Sequence, residues 1–142
     1  MPADPKSSAR PEPKDLVYAC SGCSDAGELA DRIARRLHKD GVAEMGCLAG
    51  VGGRVKPLLQ KAKDARRILV VDGCPFECAS ATLRGAGFEE IIPIRLHDLG
   101  LRKGRCPVTE GRIALGVVVA SAALKGEPPP PASPGESAEG TT

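Results

Sequence analysis

The stretch ILVVDGCP, residues 68–75, decides the fold of this chain. The four consecutive apolar residues 68–71 predict a strand that is covered on both faces, as strands of parallel sheets usually are. The Asp-Gly pair that follows ends the strand, and Pro75 suits the first turn of a helix. The stretch therefore predicts a buried strand that leads through Cys74 into a helix.

Weaker strand and helix patterns alternate on both sides of this stretch. Short apolar segments predict three further strands at residues 16–19, 43–48 and 91–96. Helical spacing of apolar residues predicts intervening helices, the first capped by Asp25 and the last by Thr109. This alternation favours right-handed crossovers and a parallel sheet. The predicted fold is a small three-layer α/β sandwich, Rossmann-like or flavodoxin-like, with a mostly parallel four-stranded sheet.

Both ends of the chain are predicted to be disordered tails. Residues 1–14 and the Pro-rich residues 127–142 contain almost no large apolar side chains. Such segments bury too little surface to offset the entropy lost on ordering. The folded domain then spans residues 15–126, which is large enough for one modest core.

Composition and charge exclude several classes of protein. The net charge is +2, and the chain has no Trp, one Tyr and two Phe. This argues against nucleic-acid binding by base stacking in a basic groove. The longest apolar stretch, residues 113–124, is too short to span a bilayer. No apolar leader precedes residue 16, so we expect a cytoplasmic protein with neither a membrane nor a nucleic acid as partner.

Five of the six cysteines lie in three short clusters, each just after a predicted strand. Residues that follow parallel strands converge at one edge of the sheet, where open α/β sheets bind their ligands. In a reducing cytosol, grouped cysteines favour a metal or redox centre over structural disulfides. We therefore expect a shared metal site, and its candidate ligands are Cys20, Cys23, Cys47, Cys74 and Cys78.

The spacing within two of the clusters suits thiolate ligands. The two-residue gap between Cys20 and Cys23 lets two sulfurs reach one ion from a tight turn. With Pro75 at the start of a helix, Cys74 would lie at its cap and Cys78 one turn along the same face. The positive end of a helix favours the thiolate form that metal binding and redox chemistry both need.

Four other residues have weaker claims to the site. Cys106 follows the basic segment 102–105 and is interpreted as an exposed loop cysteine. His38 lies at a helix end, which attracts positive groups, and is interpreted as structural or exposed. His97 follows the fourth predicted strand, although a role outside the site is the simpler interpretation. Asp72 could orient a ligand or cap the next helix, and the sequence favours neither role.

Three motifs together resemble the DGC-domain family, which is named for its central Asp-Gly-Cys sequence. They are CSGCS at residues 20–24, EMGCLAGVGG at 44–53 and DGCP at 72–75. The resemblance covers about residues 16–103 and implies a zinc-binding protein with no established reaction. The cysteines that best match the four ligands implied by the resemblance are Cys20, Cys47, Cys74 and Cys78. Cys23 is then a fifth sulfur, which we expect to be spare and reactive.

Three functions stay open at this stage. Four thiolates complete a tetrahedral zinc shell without an open position, which favours a structural, sensing or homeostatic role. The fifth sulfur, at Cys23, favours a thiol-based oxidoreductase or a sulfur-handling enzyme instead. Four cysteines also suit an iron–sulfur cluster, although the spacings match no common ferredoxin pattern. A metal ion, zinc first, is thus the predicted partner, and whether a reaction is catalysed is left open.

Overall fold

The computed structural model describes residues 12–128 of the chain. Within that range, four strands alternate with five α-helices, and a 3-10 turn at Leu96–Leu99 follows the last strand. The elements are β1 Asp15–Ala19, α1 Asp25–Lys39, β2 Glu44–Met45, α2 Leu48–Gly52, α3 Lys56–Lys63, β3 Arg67–Asp72, α4 Cys78–Gly85, β4 Ile92–Arg95 and α5 Glu110–Leu124. The two predicted tails lie almost wholly outside the described residues.

All four strands are parallel and lie in the order β2-β1-β3-β4. The β1–β3 pairing is the longest and runs from Asp15 beside Arg67 to Ala19 beside Val71. The chain leaves β1 to form β2 on one side and then returns to form β3 on the other. A reversal of this kind opens a crevice at the carboxyl ends of the two central strands, where ligands of α/β sheets bind.

Helices cover the sheet on both faces, which gives the predicted three layers. On one face, α1 and α5 pack against a core that includes Val17 and Val71 of the central strands. On the other face, α2, α3 and α4 cover Tyr18 and Val70. Because successive side chains of a strand point to opposite faces, apolar residues are needed at every position of a doubly covered strand. This explains the unbroken apolar run in β3.

The segment between β1 and β3 differs most from its prediction. The predicted strand 43–48 is shortened to β2, and residues 49–53, predicted as a flexible turn, lie mostly in α2. Gly46, directly after β2, lies against the ring of Tyr18. A Cβ atom at Gly46 would be only 2.5 Å from Cε1 of that ring. The glycine that interrupts the apolar pattern therefore serves close packing.

The last helix begins and ends as predicted. The side-chain oxygen of Thr109 accepts the N–H of Arg112 at 3.1 Å, and Gly126 ends the segment with a φ of 72°. Gly116 lets α5 approach α1, since a Cβ atom there would lie 2.1 Å from Cδ1 of Ile33. Across residues 12–128, no helix combines the length and the apolar character needed to cross a membrane.

Candidate metal and thiol site

The carboxyl ends of three parallel strands place the cysteine clusters at one edge of the sheet. Cys20 directly follows β1, and its N–H donates to the carbonyl of Val71 in β3 at 3.1 Å. Cys47 follows β2 and caps α2, while Cys74 lies just beyond the end of β3. Cys20 and Cys74 thus lie on the two sides of the crevice that the strand order creates.

Cys20, Cys74 and Cys78 form the centre of this arrangement. Burial raises the pKa of the Cys20 thiol, whereas the N–H of Gly73, which donates to its sulfur at 3.2 Å, lowers that pKa. The nearby charges of Asp72, Cys74 and Cys78 raise the pKa again. Cys74 and Cys78 are thus near enough to Cys20 for their charges to act on its thiol. A metal ion that binds Cys20 must therefore displace its proton.

The other two predicted ligands lie at the exposed rim. Cys47 is exposed, and its sulfur accepts the N–H of Gly50 at 3.4 Å. Its charge contributes to the raised pKa of Tyr18, which is about 12 and is due mainly to burial. Cys23 is exposed in the turn that precedes α1. Within residues 12–128, no three His, Cys, Asp or Glu side chains are grouped closely enough to hold a metal ion. The thiols are gathered at one edge but not assembled into a shell.

Asp72 caps the helix that carries Cys78. The carboxylate is buried and accepts the N–H of Ala79 at 2.8 Å and the N–H of Ser80 at 3.1 Å. The Ser80 hydroxyl donates to the same carboxylate at 2.7 Å. Capping is thus the observed role among the two that the sequence left open. These bonds hold the start of α4 against the end of β3.

Gly73 allows the strand end to pack directly on α1. A Cβ atom at this position would lie 2.5 Å from the carbonyl oxygen of Ala26 and 2.7 Å from its carbonyl carbon. Both are backbone atoms, which cannot move aside as a side chain can. The Asp-Gly-Cys sequence therefore combines a helix cap, a close contact and an N–H donor to Cys20 with a thiol at Cys74.

The helix α4 begins at Cys78 and not, as predicted, at Pro75. Cys78 is therefore the residue at the helix start, and the prediction that Cys74 caps this helix is wrong. The residue before the helix, Glu77, has a left-handed conformation with φ 53° and ψ 46°. This conformation costs about 1 kcal/mol for a residue with a Cβ atom. The turn between the two cysteines is accordingly strained.

Asp25 anchors a distant loop to the site and is not, as predicted, the cap of α1. The cap is Ser24, whose side-chain oxygen accepts the N–H of Gly27 at 3.0 Å. The Asp25 carboxylate accepts the N–H of Gly104 at 2.7 Å and that of Cys106 at 3.1 Å. No sequence pattern predicts this contact, because the two segments that it joins lie near opposite ends of the domain sequence.

The interpretation of Cys106 as an exposed loop cysteine is wrong. Its side chain is fully buried in the core between α1 and α5. Burial, and then the neighbouring Asp25 charge, raise the pKa of the Cys106 thiol to about 11. Cys106 therefore anchors the loop and lies outside the candidate site.

Neither histidine is counted among the candidate ligands. Nδ1 of His38 accepts the N–H of Met45 at 3.0 Å, which ties the end of α1 to β2. This confirms the structural interpretation of His38. His97 is half-buried in the 3-10 turn after β4.

Comparison with known proteins identifies the family. A family model of the DGC domain matches residues 16–115, which is most of the chain. The chain belongs to the DGC-domain family. It is also similar to the anaerobic and virulence modulator AnvM of Pseudomonas aeruginosa, with 44% identity over 92 residues, or 65% of this chain and 70% of AnvM. No solved structure matches this DGC-domain chain. The gathered cysteines and the anchored loop up to Cys106 all lie within the matched residues.

Proposed function

We propose that this DGC-domain protein is a cytoplasmic protein that binds one thiophilic metal ion through its gathered cysteines. Zinc is the first candidate for that ion. The observation that carries the proposal is the placement of Cys20, Cys47 and Cys74 after three neighbouring parallel strands, at one edge of the sheet. The role that fits a closed thiolate site is structural, sensing or homeostatic. AnvM is described as a modulator, and a sensing role is in line with that description.

The donor set fits zinc in its chemistry. Cys20, Cys74 and Cys78 offer three soft thiolate ligands at this edge, and Cys47 after β2 is the fourth ligand that the family pattern suggests. Bonds of about 2.3 Å from zinc to sulfur require the side chains to rotate inward and the turn at residues 74–77 to adjust. Since the Cys20 thiol has a raised pKa, binding is expected to weaken as the pH falls.

Metal analysis of reduced, anaerobically purified protein tests the proposal. We expect about one zinc ion per chain, and a colourless solution, since an iron–sulfur cluster would be visibly brown. Cys74→Ser or Cys78→Ser should abolish tight binding. The matched control is Cys106→Ser, which keeps a donor for the Asp25 carboxylate and should bind as the parent does. Undiminished metal content in Cys74→Ser would refute the assignment.

A second candidate function is thiol exchange, as in an oxidoreductase or a sulfur-handling enzyme. It is favoured by the exposure of Cys23 and Cys78. The fifth sulfur can then react while the others hold the ion. The test is alkylation of metal-loaded protein, with peptide mass as the readout. Reaction first at Cys23 without loss of metal supports this function, and equal protection of Cys23 and Cys74 counts against it.

A further inference from the structure

An exposed aromatic ring and a basic loop lie beside the cysteines and have no part in the proposed metal shell. Phe76, between Cys74 and Cys78 in sequence, is 76% exposed, the highest fraction among the large apolar side chains of residues 12–128. Nζ of Lys103 lies over its ring, 5.6 Å from the centroid. Lys103 belongs to the exposed sequence RKGR at residues 102–105. We call Phe76 and residues 102–105 together the ring–loop surface.

The backbone holds the ring–loop surface in its exposed position. The Asp25 carboxylate fixes the loop through the N–H groups of Gly104 and Cys106, and the Cys106 side chain is buried beneath it. On the other side, the N–H of Glu77 donates to the carbonyl of Cys74 at 3.2 Å and closes the turn that carries the ring. Hydrogen bonds on both sides therefore hold the ring and the basic loop in fixed positions next to each other.

The charge of this surface is unbalanced. Arg102, Lys103 and Arg105 are exposed, and within the described residues none of them forms an ion pair. The Asp25 carboxylate is occupied by backbone N–H groups of the same loop. Glu77 is the acidic residue in the facing turn, so cations outnumber carboxylates. An acidic partner would complement this surface, which steers association and selects against basic partners.

We propose that the ring–loop surface docks an acidic segment of a partner protein, with an apolar side chain of that segment against Phe76. The ring is largely exposed, so it suits the surface of another protein better than a small ligand, which is usually enclosed in a cavity. Aromatic and Arg side chains are also the types enriched in protein interfaces. Docking there brings the partner next to Cys74 and Cys78, so the inference gives the proposed thiol site its partner class and rests on that function.

The test uses two synthetic peptides that carry one cysteine each, activated as a mixed disulfide with thionitrobenzoate. In one peptide the cysteine is flanked by glutamates and a leucine, and in the other lysines replace the glutamates. A protein thiolate attacks the peptide sulfur, forms a protein–peptide disulfide and expels the thionitrobenzoate anion. Free thiols are then alkylated with iodoacetamide. Trypsin separates residues 68–84, which contain Cys74 and Cys78, from residues 40–54, which contain Cys47.

We expect the acidic peptide to modify residues 68–84 about five times faster than the basic peptide at low salt, and the difference to shrink at high salt. Lys103→Glu should remove this preference without changing the modification of residues 40–54. Phe76→Ser should slow the acidic peptide several-fold, because the leucine loses its contact. The matched control is Lys63→Glu at the end of α3, which has the same change of charge and should keep the preference.

Equal rates for the two peptides would overturn the proposal, and so would an equal effect of Lys63→Glu and Lys103→Glu. Metal content, measured on each protein before any peptide is added, separates this inference from the proposed function. Metal binding without a charge preference refutes the docking surface alone. A charge preference without metal binding refutes the metal site alone.

Discussion

Replacing Gly73 with alanine tests whether the Asp-Gly-Cys sequence is shaped by packing against α1. The added Cβ atom would lie 2.5 Å from the carbonyl oxygen of Ala26, 2.7 Å from its carbonyl carbon and 2.9 Å from its Cβ. Relief requires the end of β3 and the first turn of α1 to separate. That movement also draws the Gly73 N–H away from the sulfur of Cys20, which it contacts at 3.2 Å.

The magnitude follows from the kind of atoms that clash. Overpacking of a tight site costs about 1–3 kcal/mol, and the upper end applies here because backbone atoms are involved. A loss of about 3 kcal/mol should lower the melting temperature by roughly 10–15 °C in a domain of this size. Urea unfolding followed by far-UV circular dichroism measures the free energy directly.

The control for this variant is Gly111→Ala in α5. The nearest atom to its Cβ position is the Thr109 side-chain oxygen at 4.0 Å, so the substitution has room. Alanine in a helix should stabilise the fold by about 0.5–1 kcal/mol relative to glycine. If Gly73→Ala unfolds at the same urea concentration as the parent while Gly111→Ala behaves as expected, the packing argument is wrong.

Three further predictions concern buried polar groups. Asp72→Asn should destabilise the domain by about 2 kcal/mol in urea, because an amide nitrogen cannot accept the bonds that Ser80 donates; an unchanged midpoint would contradict the capping role. Hydrogen bonds from two arginines hold the pKa of Asp15 well below its ordinary value. The folded pKa is lower than the unfolded one, so the stabilisation is full above about pH 4 and is lost as the pH falls further. Asp15→Asn should therefore be less stable than the parent at neutral pH, and this difference should shrink in acid titrations of stability. Cys106, with a pKa of about 11, should resist iodoacetamide at neutral pH until urea unfolds the protein, whereas exposed Cys23 should react at once; early modification of Cys106 would show that its burial is transient.

Local patterns in the sequence were sufficient for the sheet and for the edge at which the cysteines gather. The apolar run in β3 and the cap at Thr109 act over a few residues, and both were predicted correctly. The start of α4 was wrong because a buried carboxylate before the helix, at Asp72, caps it in place of a residue next to Pro75. The role of Asp25 could not be predicted, because its acceptor bonds to Gly104 and Cys106 depend on how α1 and the loop meet in space.

The different parts that residues 72, 73 and 74 play in the structure bear on the function of the site. Asp72 and Gly73 act within the fold: Asp72 caps α4, and Gly73 allows the close contact with α1. Among the candidate ligands, only Cys20 packs against the two apolar clusters that cover the sheet, so an ion bound at this edge would add little to the core. Structural zinc sites, by contrast, contribute the folding energy of the domains that need them. The left-handed turn at Glu77, between Cys74 and Cys78, is the kind of strained backbone that clusters at ligand sites and switch regions, and it is in line with the sensing and exchange roles proposed above.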